Sequence, residues 1–130
     1  MPIGCIVLID DEHITNFVNK TIIEKMNICT HVETFNLAEE ALTEITTSFK
    51  SNGSFPNYIF VDINMPEMNG WEFIEAFSQQ DEDLKSKIKI FMLSSSQNED
   101  DVTKANQHNC VKGFIGKPLT PEKLLKVVEQ

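Results

Sequence analysis

The feature that most constrains the fold is a repeated alternation of two hydrophobic periods along the chain. Short continuous apolar runs are typical of strands that are buried on both faces, and between them apolar residues return at helical spacing. The runs predict five strands, at 5–9, 31–35, 58–61, 88–93 and 111–115. Strands that alternate with helices form a parallel sheet covered on both sides. The sequence therefore predicts a doubly wound α/β fold built from five strand–helix units.

The helices between these strands are predicted from their apolar spacing and their end signals. The first begins near 13, with apolar residues at Ile14, Phe17, Val18, Ile22 and Met26. The second carries Ala38, Ala41, Leu42, Ile45 and Phe49, with Asn36 as its N-cap, and a turn-rich loop follows at 50–57. The third carries core residues Trp71, Phe73, Ile74 and Phe77. A polar segment at 97–109 predicts the fourth, and Thr120 followed by Pro121 opens the last.

Composition limits the kind of protein this is. The 130 residues predict a single domain, 1–130. No apolar run reaches the roughly 20 residues of a membrane span and no signal peptide is visible, so we expect a cytoplasmic protein without membrane contact. Twenty acidic residues against eleven basic ones, a net charge of −9, argue against a nucleic-acid partner. The cysteines are odd in number and widely spaced, which indicates reduced thiols; they are Cys5, Cys29 and Cys110.

Polar side chains stand where the predicted strands end. Asp10 and Asp11 follow the first strand, Asp62 the third and Ser94 the fourth, while the fifth leads to Lys117. Ligands of open α/β sheets bind at this edge. Each close carboxylate pair repels by about 4 kcal/mol at roughly 4 Å for an effective dielectric constant of about 20. One divalent cation together with Lys117 would balance the three carboxylates, and hard oxygen ligands favour Mg²⁺.

A carboxylate held beside a metal ion and an ammonium group suits phosphoryl transfer through an aspartyl-phosphate. Asp62 is the better candidate nucleophile because it stands alone at its strand end. The adjacent Asp10 and Asp11 suit metal binding.

Four segments together resemble the receiver domain of two-component response regulators, of the stand-alone, chemotaxis-regulator-like kind. They read "VLIDDE", "FVDINMPEMNGWEF", "FMLSSS" and "GFIGKPLTPEKL", and the resemblance covers 5–129. It implies a flavodoxin-like (βα)5 fold with strand order 2-1-3-4-5.

The resemblance also implies a role for each matching residue. Asp62 matches the phosphoacceptor aspartate, and Asp10 and Asp11 match the acidic pair that holds Mg²⁺, with Asp11 favoured as the direct ligand. Asn64 matches the residue whose backbone carbonyl binds the metal ion. Lys117 matches the lysine that pairs with the phosphoryl group, and its peptide bond to Pro118 is cis in the family.

Two further matches concern the response to phosphorylation. Ser94 matches the switch hydroxyl that hydrogen-bonds the phosphoryl group, and Phe114 matches the aromatic switch position. The segment 97–109 is the least apolar part of the chain, so we expect it to shift easily when Ser94 moves.

The function implied is phosphorelay signalling. A sensor histidine kinase or a histidine phosphotransfer protein would phosphorylate Asp62, and the changed surface would bind a downstream protein that the sequence does not identify. The protein would assist its own phosphorylation and dephosphorylation without being a turnover enzyme. Because the fold uses the whole chain, we expect no separate output domain, and either a monomer or a phosphorylation-dependent dimer.

Two other classes share parts of this pattern. A haloacid dehalogenase-type phosphohydrolase also uses Asp, Ser or Thr, Lys and Mg²⁺, but its nucleophile lies in an Asp-x-Asp motif after the first strand. A flavodoxin-like flavin binder would have a Gly- and Ser-rich loop where this chain has "DDEHIT". Sustained hydrolysis of a phosphomonoester would favour the first, and a yellow protein the second. A receiver that binds partners without being phosphorylated is a further alternative.

Overall fold

The sheet has the predicted parallel topology. The computed structural model describes residues 3–95, 103–104 and 107–128. Its five strands lie in the order β2-β1-β3-β4-β5, all parallel. They are β1 (Ile3–Ile9), β2 (Cys29–Phe35), β3 (Tyr58–Asp62), β4 (Lys89–Ser94) and β5 (Val111–Gly116). The predicted fold class and strand order are confirmed, and each strand lies within two residues of its expected bounds.

Five helices are bounded within the described residues. They are α1 (His13–Met26), α2 (Ala38–Asn52), α3 (Gly70–Ser78), α4 (Glu82–Lys87) and α5 (Pro121–Val128). The expected loop at 50–57 is shorter, because α2 continues to Asn52 and ends on Gly53 in the left-handed conformation. Of the helix expected at 97–109, residues 103–104 are helical and most others lie outside the described residues. No helix in the described part of the chain has the length and apolarity to cross a membrane.

The short helix α4 does not follow from the sequence pattern. It has six residues, and Leu84 alone among them is buried. A helix that buries a single side chain shows no apolar period, so hydrophobic spacing does not reveal it. Its N-cap is visible only in the structure, where the Asp81 carboxylate accepts a hydrogen bond from the backbone N–H of Asp83 at 3.4 Å.

Helices cover both faces of the sheet, each over its own hydrophobic core. On one face α2, α3 and α4 pack over a cluster that includes Val7, Ile9, Ile45, Ile59, Val61, Phe73, Phe77, Leu84 and Ile90. On the other face α1 and α5 pack over a cluster that includes Ile6, Leu8, Ile23, Phe60, Phe91, Leu93, Ile115 and Leu124. Phe73, Ile74 and Phe77 are fully buried as expected, whereas Trp71 is only partly buried. This two-sided burial explains why the strands are apolar at consecutive positions.

The apolar residues in the first half of α1 do not mark its buried face, whereas those in the second half pack against the core as the spacing predicts. An apolar stripe at helical spacing ordinarily faces the core, yet Ile14 and Phe17 are 80% and 71% exposed. The helix instead buries Asn16, Asn19 and Ile23. The buried face is therefore partly polar, and an apolar surface is left open to solvent.

The predicted N-cap of α2 is wrong. The N-cap residue is Leu37, which makes no side-chain cap, and α2 begins at Ala38. The side-chain amide of Asn36 instead donates a hydrogen bond to the backbone carbonyl of Asp10, at 3.2 Å. An asparagine side chain can cap a helix, but it can also hydrogen-bond to the backbone at the end of a neighbouring strand, as Asn36 does here.

The start of α3 is held against the strand that carries Asp62. Gly70 donates its backbone N–H to the carbonyl of Ile63 at 2.9 Å. A Cβ at Gly70 would lie 2.6 Å from the backbone oxygen of Asp62 and 2.8 Å from the Cα of Ile63. Both contacts are with backbone, so the chain itself would have to move.

We therefore expect Gly70→Ala to destabilise the protein by about 1–3 kcal/mol, the usual range for overpacking. Urea unfolding followed by circular dichroism measures the change. Gly113→Ala is the matched control, because its Cβ would meet the Phe91 ring at an ordinary 3.6 Å. Equal stability of the two variants would contradict close packing at Gly70.

Candidate functional site

Three aspartates meet where the strand order reverses. The chain passes from β1 outward to β2 and returns to β3, so a crevice opens between the carboxyl ends of β1 and β3. Ile9 pairs with Val61, so Asp10, just beyond β1, and Asp62, the last residue of β3, lie side by side at this edge. Both are buried, at 1% and 4% exposure. One carboxylate oxygen from each of Asp10, Asp11 and Asp62 lies within 4.8 Å of the other two.

Lys117 joins the two buried carboxylates. Its Nζ lies 3.1 Å from Oδ1 of Asp62 and 3.2 Å from Oδ2 of Asp10. Its backbone N–H donates to the carbonyl of Ser94 at 2.8 Å, which fixes the residue just beyond β5. The Lys117–Pro118 peptide bond is cis, as the resemblance implies.

The crevice holds three carboxylates but only one ammonium group among the described residues that contact them, that of Lys117. Burial, followed by the nearby Asp10 carboxylate, raises the pKa of Asp62, and the Lys117 ammonium and the Asn64 N–H offset this only in part. Burial alone would lower the pKa of Lys117, but the Asp10 and Asp62 carboxylates raise it above its usual value. Lys117 is therefore charged at neutral pH, and its ammonium group pairs with two of the three carboxylates.

A divalent cation fits this donor set. The three converging groups are hard carboxylate oxygens, which Mg²⁺ prefers over nitrogen or sulfur ligands. The pKa of Asp62 is raised because burial and the Asp10 carboxylate outweigh the Lys117 ammonium and the Asn64 N–H. A cation at this position would remove that imbalance.

Asn64 and Ser94 flank Asp62 on two sides. The backbone N–H of Asn64 donates to Oδ1 of Asp62 at 3.3 Å, and the Asn64 side chain is exposed. Ser94 is the last residue of β4 and is buried. It lies one residue beyond Leu93, the strand partner of Asp62. The hydroxyl-bearing residue thus stands at the same sheet edge as the carboxylate.

Phe114 lies behind this edge, in β5. It pairs with Met92 and is half-buried against the core that α3 covers. Its ring meets Trp71 edge-to-face, with centroids 6.2 Å apart and planes at 70°. Trp71 in turn stacks on His108, with centroids 6.3 Å apart. A change in the orientation of Phe114 would therefore alter the surroundings of Trp71.

Sequence reasoning missed two amides that hold the acidic turn. The Asn16 amide donates to the carbonyls of Asp10 and Phe35 at 2.9 and 3.0 Å, and the Asn36 amide also donates to Asp10. The backbone N–H of Asp10 donates to Phe35 at 3.1 Å. These bonds tie the ends of β1 and β2 together under the site. The one available signal is the pair of asparagines, Asn16 and Asn19, among the apolar residues of the first helix.

A shallow cavity of about 420 Å³ adjoins Lys117 on the α1 side. Its lining is largely apolar and consists of Ile14, Thr15, Val18, Asn19, Leu93, Lys117, Pro118 and Leu119. Two of the exposed apolar residues of α1, Ile14 and Val18, therefore share this cavity with Lys117.

Comparison with known proteins places the chain in one family. The profile of the response regulator receiver domain matches residues 6–129, nearly the whole chain. The chain therefore belongs to the response regulator receiver domain family, the phosphorelay modules of two-component signalling. Receiver domains of response regulators are signalling modules and not typically metabolic enzymes.

Solved structures agree with this placement. A two-component response regulator from Cytophaga hutchinsonii is 33% identical, with a TM-score of 0.91, over 99% of this chain and 96% of that chain. The receiver domain of the histidine kinase CKI1 from Arabidopsis thaliana, solved in complex with Mg²⁺, is 25% identical with a TM-score of 0.83. That match covers 97% of this chain and 90% of the other.

Among curated proteins, the nitrate/nitrite response regulator NarL of Escherichia coli is 35% identical over 75 residues. The match covers 58% of this chain but only 32% of NarL. The chain thus corresponds to about a third of that relative.

Proposed function

We propose that this receiver accepts a phosphoryl group on Asp62 from the phosphohistidine of a sensor histidine kinase or a histidine phosphotransfer protein. The observation that carries the proposal is the convergence of Asp62, Asp10, Asp11 and Lys117 at one edge of the sheet. A buried carboxylate with an ammonium group at 3.1 Å and an acidic cation site beside it is equipped to receive a phosphoryl group.

The transfer itself is a displacement at phosphorus. An oxygen of the Asp62 carboxylate forms the new bond to phosphorus, the bond from phosphorus to the histidine nitrogen breaks, and the imidazole leaves. Lys117 already lies 3.1 Å from Asp62 and offsets charge on the phosphoryl oxygens. Asn16 and Asn36 keep the acidic turn in place through the Asp10 carbonyl.

Mg²⁺ is the cofactor we propose, held by Asp10, Asp11, Asp62 and the backbone carbonyl of Asn64. When bound, it would neutralise charge on the carboxylates and on the incoming phosphoryl oxygens. The three clustered carboxylates support this assignment, as does the Mg²⁺ complex of the related CKI1 receiver domain.

The phosphodonor protein, we propose, covers the apolar surface of α1. Ile14, Phe17 and Val18 are exposed, and two of them line the cavity that reaches Lys117. Because this surface adjoins Lys117, a protein that brings a histidine to Asp62 could bury its apolar side chains during transfer. The free thiols of Cys5, Cys29 and Cys110 support a reducing cytoplasmic setting for the exchange.

The output we propose is a phosphorylation-dependent surface that a downstream protein recognises, with the receiver acting alone as a monomer or as a phosphorylation-dependent dimer. The protein would catalyse its own phosphorylation and dephosphorylation and would turn over no separate substrate. Ser94 would bond the phosphoryl group, and Phe114 would fill the space that Ser94 leaves. The contact between Phe114 and Trp71 supports this coupling, because it links β5 to the start of α3.

Ser94→Ala should still be phosphorylated on Asp62 but should lose most of the conformational response. Trp71 is the single tryptophan of the chain and touches Phe114, so its fluorescence reports the switch. We expect a change in emission on phosphorylation in the wild type and a change at least severalfold smaller in Ser94→Ala. Ser95→Ala is the control, because Ser95 lies beyond the strand and is exposed. If Ser94→Ala responds fully and Ser95→Ala does not, Ser95 is the coupling residue.

Mass spectrometry tests the function directly. After incubation with acetyl phosphate and Mg²⁺, the wild-type protein should gain the mass of one phosphoryl group, and EDTA should suppress the gain. Sustained release of inorganic phosphate from a phosphomonoester, without a labelled protein, would instead favour a phosphohydrolase.

A further inference from the structure

The side chain of Lys123 hydrogen-bonds to the backbone on both sides of Lys117. Its Nζ donates to the carbonyl of Gly116 at 2.7 Å and to the carbonyl of Pro118 at 3.0 Å. Gly116 and Pro118 are the two chain neighbours of Lys117, whose own N–H is bound to Ser94 at 2.8 Å. With Lys123 in place, the backbone of this turn is held at three successive residues.

Lys123 is also fixed at its own backbone. Its N–H donates to Oγ1 of Thr120 at 3.3 Å, so Thr120 caps the N-terminus of α5. A short, capped helix start therefore carries the side chain that reaches back to the turn. The turn at Lys117 and the first turn of α5 form one hydrogen-bonded unit.

The location of this ammonium group is electrostatically unfavourable for the helix. Lys123 lies in the first turn of α5, where the helix dipole favours anions over cations. Two charge-assisted hydrogen bonds to carbonyl oxygens offset that effect. Helix stability alone does not account for a lysine here, whereas the contact with the turn does.

We propose that Lys123 is a positioning residue for phosphoryl transfer, acting through Lys117. Resting on the proposed function, it sets where the Lys117 ammonium stands relative to Asp62. The Lys117 Nζ must serve Asp62 and Asp10 at once, at 3.1 and 3.2 Å, so a small displacement of the turn would weaken one contact or both. Reactions that depend on held geometry lose rate steeply with such shifts.

The test compares Lys123→Met, which removes both donors, with Lys126→Met, which removes the same charge from an exposed position on the same helix. Each protein is incubated with acetyl phosphate and Mg²⁺. An Asp62 oxygen bonds to phosphorus and acetate leaves, and the rate constant is measured by mass spectrometry. We expect a fall of about tenfold for Lys123→Met and less than twofold for Lys126→Met. Lys123→Arg, which keeps a cationic donor, should recover much of the rate.

A second readout does not depend on phosphorylation. The side-chain NMR resonance of Lys117, assigned through Lys117→Arg, should move in Lys123→Met and stay in place in Lys126→Met. Melting curves establish that each variant is folded at the temperature used, and Lys123→Ala, which also lacks a side-chain donor, replaces Lys123→Met if the latter is unfolded. An unchanged rate, or an unmoved Lys117 resonance, in the folded variant overturns the proposal. If the wild type itself is not phosphorylated, the proposed function fails, while the resonance still decides whether Lys123 positions Lys117.

Discussion

Asp62→Asn should abolish phosphorylation while leaving the fold intact. Acetyl phosphate and Mg²⁺ should add one phosphoryl group to the wild type and none to the variant, as intact mass measures directly. The asparagine amide has nearly the shape of the carboxylate but lacks an anionic oxygen to form the bond to phosphorus. Asp62 is also the carboxylate at the very end of a strand, with Lys117 at 3.1 Å and the cation site beside it.

The control for this loss is Asp83→Asn, which makes the same chemical change at an exposed position on α4. It should be phosphorylated as fully as the wild type. Undiminished labelling of Asp62→Asn would move the nucleophile to Asp10 or Asp11, which peptide mapping of the labelled protein would distinguish.

Asp62→Asn should also change the free energy of unfolding, in the stabilising direction. In the folded protein burial and Asp10 raise the pKa of Asp62, so the charged form is disfavoured relative to the unfolded chain. The penalty is present above the folded pKa and is relieved as the pH falls through it. In EDTA at neutral pH, Asp62→Asn should therefore be more stable than the wild type, as urea unfolding would measure.

The sheet and the strand-end residues could be predicted from the sequence because both follow from short-range pattern. A strand buried on both faces must be continuously apolar, so the first polar residue after it marks the sheet edge. Asp10, Asp62 and Ser94 were located in this way, and their convergence follows from parallel topology. Their roles in phosphorylation remain predictions that the experiments above address.

The orientation of α1 could not be predicted in this way. The spacing of the apolar residues places Ile14, Phe17 and Val18 on one side of the helix. Which side faces the sheet also depends on the hydrogen bonds that the end of the sheet needs. Here the carbonyls of Asp10 and Phe35 need donors, and Asn16 supplies them from the buried side. The apolar side is left exposed next to the site.

The hydrogen bonds of Lys123 escape sequence reasoning for a related reason. A lysine in the first turn of a helix is ordinarily a solvated surface residue. Only the fold brings its ammonium within 3.0 Å of the carbonyls of Gly116 and Pro118. Contacts between a side chain and the backbone of a turn leave no periodic signal.

Mg²⁺ should stabilise the unphosphorylated wild-type protein against heat, and Asp11→Ala should remove most of that effect. A ligand that binds only the folded state, at ten times its dissociation constant, stabilises by about 1.4 kcal/mol. For a domain of this size the melting temperature would rise by roughly 5 °C. Asp11 contributes one of the three converging carboxylates and is the least buried of them, so its loss removes a ligand with little change to the core.

The control must separate specific binding from general screening, since a chain with a net charge of −9 is stabilised by any divalent salt. Glu12→Ala removes the same charge from the adjacent, exposed side chain, which caps nothing in α1. At matched ionic strength, Glu12→Ala should keep the Mg²⁺ response and Asp11→Ala should lose it. Asp11→Ala should also melt higher than the wild type in EDTA, because one source of repulsion in the crevice is gone. The melting temperature of the wild type should therefore start below that of Asp11→Ala in EDTA and rise above it as Mg²⁺ is added. Identical wild-type melting curves in EDTA and in millimolar Mg²⁺ would exclude a metal site at these carboxylates.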